Sequence, residues 1–240
     1  MNKKLLTAIA ASVITVAGSS AAVADMNWFF SPYVGVDAQL RHMEFKKDFG
    51  KNVSPDDYPQ GNVYVGAKFC DWLGVELGYE STIGREKRAV VLGNAIVFNL
   101  PADAGGPNAS NTFDTRVRIH GPHINLVGFL PVSDDYRLQV FGSIGVAQLK
   151  IKINHDNPIA RGAVNSSFID DRRIFAKRKL IPRATVGLQH LMTNCFGVRA
   201  SIGWENTSRF KDIRTVNVPS GLIARVRDSV NVGLGIFYNF

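Results

Sequence analysis

Between Val230 and Phe240 the apolar side chains fall on every second residue. Val230, Val232, Leu234, Ile236, Tyr238 and Phe240 alternate with Ser229, Asn231, Gly233, Gly235, Phe237 and Asn239. Successive side chains of an extended chain point to opposite sides, so the period predicts a strand with one apolar face. Six more stretches carry the same period: Val34–Leu40, Val63–Phe69, Val75–Tyr79, Leu138–Val146, Leu180–Leu188 and Val198–Trp204. A further strand, from about Arg116 to Leu130, is less regular. There Val117 and Ile119 oppose Arg118 and His120, and Pro122, which has no N–H to give a ladder, predicts a bulge.

These eight strands are joined by connections of alternating length. Long ones run over roughly 43–60, 84–114, 153–178 and 207–227; short ones lie near 70–73, 131–136 and 191–196. An antiparallel up-and-down sheet follows, with long loops at one end and tight turns at the other. The period alone leaves open whether the apolar face points inwards or outwards. Three features point it outwards, to lipid. The opposite face is rich in Gly, Ser, Thr, Asn and Gln, which suit a narrow lumen. Aromatic residues gather at the short-turn end (Trp28, Phe29, Phe30, Tyr33, Phe69, Trp72, Phe129, Tyr136, Phe196, Tyr238 and Phe240), as in a membrane-interface girdle. An apolar strand ending on Phe240 would be an aggregation hazard at an open edge but pairs with the first strand in a closed barrel. The expectation is an all-β, eight-stranded antiparallel up-and-down transmembrane β-barrel.

Composition then takes on meaning. The chain has 240 residues, 45% hydrophobic and 20% charged, which excludes disorder. Lys3 and Lys4, the apolar run Leu5–Gly18 and Ala22-Val23-Ala24 read as a secretory signal peptide over 1–24, leaving a barrel over 25–240. A net charge of +8 asks for an acidic partner, and export argues against nucleic acid.

Leu73-Gly74-Val75-Glu76-Leu77-Gly78-Tyr79, Gly128-Phe129-Leu130-Pro131 and Phe141-Gly142-Ser143-Ile144-Gly145 resemble the small bacterial outer-membrane barrels of the OmpA, OmpX and opacity type. The segment Gly235–Phe240 resembles the terminal signal that the outer-membrane assembly machinery recognises, with Ile236, Tyr238 and Phe240 as its residues. The resemblance implies an outer-membrane location reached through the periplasm. It also implies surface interaction through the loops, here without the soluble peptidoglycan-binding domain of full-length OmpA proteins.

Asp37, Arg41, Lys68, Glu76, Glu80, Arg118, Arg183, Arg199 and Glu205 are predicted to face the lumen, five basic against four acidic. An eight-stranded barrel has room only for side chains, so these charges should form an ion-paired plug. A narrow ion path, making the chain a small porin, is the alternative. Catalysis is not expected, and neither a cofactor nor a metal is. No His has the Ser two residues later found in barrel lipid-A deacylases, and His120 and His123 fall on opposite strand faces. Cys70 and Cys195 fall in the first and third short turns. An oxidising compartment permits a disulfide, but turns across the barrel from each other favour two free thiols. The long loops concentrate basic residues, with Arg172, Arg173, Lys177 and Arg178 as a patch. Their sign suits outer-membrane lipid, lipopolysaccharide, and anionic glycans of host or cell surfaces.

Overall fold

The computed structural model describes residues 30–46, 56–92, 110–133, 135–156, 172–210, 213–214 and 223–240; the expected signal peptide lies outside them, as do Trp28 and Phe29. In chain order the strands are β1 (Ser31–His42), β2 (Phe45–Lys46), β3 (Asp57–Cys70), β4 (Leu73–Thr82), β5 (Arg85–Leu92) and β6 (Ser110–Pro131). Then follow β7 (Leu138–Asp156), β8 (Arg172–Leu191), β9 (Phe196–Glu205), β10 (Ile213–Arg214), β11 (Ile223–Val226) and β12 (Ser229–Asn239). Eight of them run in the order β4-β3-β1-β12-β9-β8-β7-β6, and β6 returns to β4. Every pairing is antiparallel and joins strands consecutive around the chain, with β1 closing on β12 through Val36 and Ile236. This is a closed eight-stranded up-and-down barrel, without an open edge in its closed part.

Side-chain alternation sets the two faces. Val34, Val36, Val63, Val65, Leu77, Ile124, Leu126, Ile144, Leu188, Ile202 and Val232 all point outwards, and Leu234 is 69% exposed. An apolar belt this large, encircling the molecule, is the surface of a barrel that spans a bilayer. Phe30, Tyr136, Phe196, Tyr238 and Phe240 are exposed at the short-turn end, with Tyr238 and Phe240 edge to face at 5.2 Å. Tyr33 and Phe129, expected in this girdle, instead lie inside, 5% and 4% exposed, because they share the lumen parity of Asp37 and Asn125.

Two further expectations need correction, both on β6. Its partners on β7 keep one register from Asp114↔Asp156 to Pro131↔Gln139, so no extra residue enters at Pro122. The proline merely leaves a gap in the ladder. Parity therefore runs unbroken, with Val117, Ile119, His123, Asn125, Val127 and Phe129 all buried, while Arg118 stands exposed on the outer wall.

What changes along β6 is the chemistry of each face. In β7 the outward residues are Leu138, Val140, Ile144 and Val146, then Gln148, Lys150 and Lys152. The inward ones are Gln139, Phe141 and Ser143, then Ala147, Leu149, Ile151 and Ile153, all buried. Below the switch the barrel is apolar outside and polar inside; above it the order is that of a soluble protein. Water replaces lipid as the outer solvent there, so the hydrophobic effect turns the apolar side chains inwards.

Above the switch, the described parts of the connections expected as loops are largely strand. β5 pairs with β6 from Arg85↔Val117 to Leu92↔Ser110, and β8 pairs with β7 as far as His155↔Arg172. On the other side β2, β11 and β10 form a three-stranded sheet. Its Phe45–Val226 pair joins Met43, Tyr58, Ile119, Leu149, Ile151, Ile181 and Phe210 in a buried cluster that caps the barrel. At the opposite end, the turn after β6 is fixed by the Ser133 hydroxyl and the Arg137 amide, which both donate to Asp135 Oδ1 at 2.6 and 3.1 Å. These donors hold the Asp135 carboxyl below the usual carboxylate range, the Ser133 hydroxyl contributing most.

Candidate functional site

Eight strands of alternating parity aim one set of side chains at the barrel axis, and the resulting lumen is stratified. Nearest the short turns, Lys68 Nζ donates to Gln139 Oε1 at 3.1 Å and lies 4.3 Å from the Phe129 ring centroid; Gln189 donates to the same Gln139 oxygen at 2.7 Å. Above it Tyr33, Tyr64, Phe129, Phe141 and Phe237 pack as an aromatic layer with Val127. Each long ring crosses onto a neighbouring strand where a glycine leaves room. A Cβ at Gly35 would strike Tyr64, one at Gly66 would strike Tyr33, and one at Gly197 would strike Phe237.

The next layer is built on Arg199. Its guanidinium carbon lies 4.4 Å from the Tyr64 ring centroid and 4.6 Å from that of Phe141. Nη1 donates to Glu76 Oε1 at 2.8 Å, and Nε lies 3.7 Å from Asp37 Oδ1. Tyr33 donates its hydroxyl to Glu76 at 3.0 Å, and Asn62 donates to Asp37 at 3.0 Å. Asn62 also meets His123 Nε2 at 2.8 Å. The guanidinium is thus stacked against two rings and hydrogen-bonded through Nη1 to a carboxylate, which suits the planar, charged group.

One step higher, two arginines and two glutamates close a ring. Arg41 Nη2 reaches Glu80 Oε1 at 2.5 Å and Glu205 Oε2 at 2.8 Å; Arg183 reaches Glu80 Oε2 at 2.8 Å and Glu205 Oε1 at 3.4 Å. Asn231 donates to Glu205 at 2.9 Å and accepts from Arg41 Nε at 3.2 Å. Arg41 is fully buried, as are Glu80 and Glu205. Desolvated charges are tolerated only with opposed partners at hydrogen-bond distance, and this ring supplies them. The apolar cap of Met43, Phe45, Tyr58 and Phe210 lies directly beyond.

Of the nine charges assigned to the lumen, eight are there: Asp37, Arg41, Lys68, Glu76, Glu80, Arg183, Arg199 and Glu205. Arg118 is not. The sequence reading missed the uncharged members, Asn62, His123, Asn125, Gln139, Gln189 and Asn231, although their parity was readable beside that of the charges. Arg172, Arg173, Lys177 and Arg178 lie in strand β8 rather than in a loop, and β8 does not place Lys177 and Arg178 on one face. Lys177 stands at an inward position opposite Ile151, and Arg178 points outwards, exposed, opposite Lys150. Ile236, Tyr238 and Phe240 all point outwards from the end of the chain. Cys70 is buried, Cys195 is exposed, and both are free thiols. No group of three His, Cys, Asp or Glu that could hold a metal occurs among the described residues.

No protein-family profile and no curated protein sequence matches the chain. Its fold is similar to three small eight-stranded outer-membrane barrels. Neisserial surface protein A, NspA, gives a TM-score of 0.49 at 11% identity, over 86% of this chain and 97% of that one. OprG of Pseudomonas aeruginosa gives 0.48 at 13%, over 88% and 96%. Ail, the attachment invasion locus protein of Yersinia pestis, gives 0.46 at 14%, over 90% and 100%.

Proposed function

We propose that this chain is a sealed surface protein of the bacterial outer membrane, a scaffold that displays its long connections for adhesin-like interaction. The carrying observation is the blocked axis. A cation bound for the far side would have to displace the aromatic layer, part the Arg41–Glu80–Arg183–Glu205 ring and open the apolar cap. Breaking one member of a buried ion pair costs on the order of 3–5 kcal/mol, so spontaneous opening is rare. In the same layers the Ser229 and Tyr33 hydroxyls donate to Glu205 and Glu76, carboxylates already committed to arginines, and His123 faces asparagine side chains. The outward row of Ile236, Tyr238 and Phe240 supports recognition of the last strand by the assembly machinery before the barrel closes.

Planar-bilayer recording with the refolded residues 25–240 tests the reading. The expected record is a flat baseline. Stable nanosiemens steps that disappear on blocking the lumen would replace the scaffold with a small porin. Export after residue 24 is expected to leave Asp25 as the first residue, which N-terminal sequencing of membrane-extracted protein reads directly.

A further inference from the structure

The chain has two cysteines, and closure of the barrel sets them on opposite sides of its short-turn end. Cys70 ends β3, where the register with β4 shifts and brings it opposite Leu73, and it is 2% exposed. Cys195 stands exposed in the turn between β8 and β9. Going round the wall, β1 and β12 lie between β3 and β9, so the two strands are three steps apart in a ring of eight. Strands about 4.8 Å apart and tilted by about 40° close into a ring roughly 16 Å across, which sets the two cysteines roughly 15 Å apart. A disulfide needs Cα atoms within about 7 Å.

Both turns are held where they stand. The Trp72 carbonyl accepts from the Phe129 amide at 2.9 Å, which ties the first turn to β6. The Cys195 carbonyl accepts from the Asn239 amide at 2.7 Å, which ties the other turn to the last strand. Thr193 Oγ1 accepts from the Phe196 amide at 2.9 Å and fixes that turn internally. The lumen layer nearest the turns, Lys68, Gln139 and Gln189, fills the mouth. In an unfolded chain none of these restraints holds. The two thiols then meet by diffusion, because closing a long loop costs little more than closing a shorter one.

We propose that Cys70 and Cys195 form a redox gate on barrel assembly. Joined to each other, they keep the barrel from closing. Once the barrel has closed, the burial of Cys70 and the width of the mouth keep them from joining. The bond forms as two thiols give one S–S, releasing two protons and two electrons to a thiol oxidant. A disulfide oxidant leaves as two thiols, and diamide leaves as its hydrazine. A chain that closes first is committed; a chain that is oxidised first waits for reduction. The gate rests on the reading of a membrane barrel exported through an oxidising compartment, and the experiment keeps barrel and gate apart.

Residues 25–240 are oxidised with diamide in urea, and the bridged monomer, two hydrogens lighter, is refolded into phosphatidylcholine vesicles beside the reduced chain. Folding is read by heat-modifiable gel mobility without reductant. The bridged chain is expected to give at least about tenfold less folded barrel than the reduced one, and dithiothreitol added during refolding should restore it. The Cys195→Ser monomer, altered at the exposed thiol alone, cannot form the bridge and should fold equally well after either treatment. Protein already inserted and then given diamide should keep Cys70 a free thiol, read by alkylation in urea and peptide mass. Equal folding of the bridged and reduced chains would overturn the gate and leave the barrel standing, as would a Cys70–Cys195 bridge formed within the inserted protein. Failure of the reduced chain to insert into any vesicle would overturn the membrane reading and the gate with it.

Discussion

The buried charges and the glycines beside the rings are two answers to the same lack of lumen space. Glu80 accepts from both Arg41 and Arg183, and all three are buried. Replacing Glu80 by Met leaves two guanidinium groups sharing Glu205, and the expected loss is about 3–5 kcal/mol in guanidinium unfolding from vesicles. Adding Arg183→Met should cost less than its own single change, because the second substitution removes a charge that the first left unpaired. Full additivity would mean that the ring is not a coupled unit. Gly187 is the corresponding steric case: a Cβ there would lie 2.6 Å from Phe141 Cε1 and closer still to the Ala200 carbonyl. Gly187→Val is therefore expected to destabilise by about 1–3 kcal/mol, since a backbone carbonyl cannot swing aside. The charged lumen residues were legible because charge stands out against a Gly- and Ser-rich parity. The aromatic layer was not, since Tyr33 and Phe129 sit near the turns, where a girdle also wants rings.

At the scale of elements, the strands and their up-and-down order were readable from period alone, but the reversal of the faces was not. Leu138–Val146 places apolar residues at even positions, and Ala147–Ile153 at odd ones, with no residue inserted. On β6 the same reversal looks like a slip at Pro122, and that is why Arg118 was assigned to the lumen. Two adjacent strands reversing at the same height indicate a change of surroundings rather than of register. The consequence is testable within β7. Ile144 lies in the belt and is 46% exposed, so Ile144→Arg should cost about 2–4 kcal/mol of stability in vesicles. Gln148→Arg, one step above the reversal on the same face, should cost at most about 1 kcal/mol. Equal costs at the two positions would place both in the same solvent and remove the reversal.

For the molecule as a whole, closure divides the chain into two regions of unequal stability. In the belt each strand has a neighbour on both sides, and β8 is held by β7 and β9 from Arg183 to His190. Beyond Arg183, β9 has ended, and β8 continues to Arg172 with β7 as its one pairing partner among the described residues. On the far side of the same extension β5 pairs with β6 from Arg85 to Leu92. Among the described residues these outer strands have one ladder partner each, while β7 between them is covered on both sides and backed by Leu149, Ile151 and Ile153 in the cap. Local opening should therefore begin at the outer strands and stop at the barrel rim. Hydrogen exchange of vesicle-inserted protein, read by mass spectrometry, should show 85–92 and 172–181 exchanging at least about tenfold faster than 138–146 and 183–191. Residues 147–153 should fall between. Uniform protection along β8 would mean that the extension is as closed as the barrel below it. Early exchange at 183–191 would put the seam of the molecule in the belt, where the reading of a sealed barrel could not survive it.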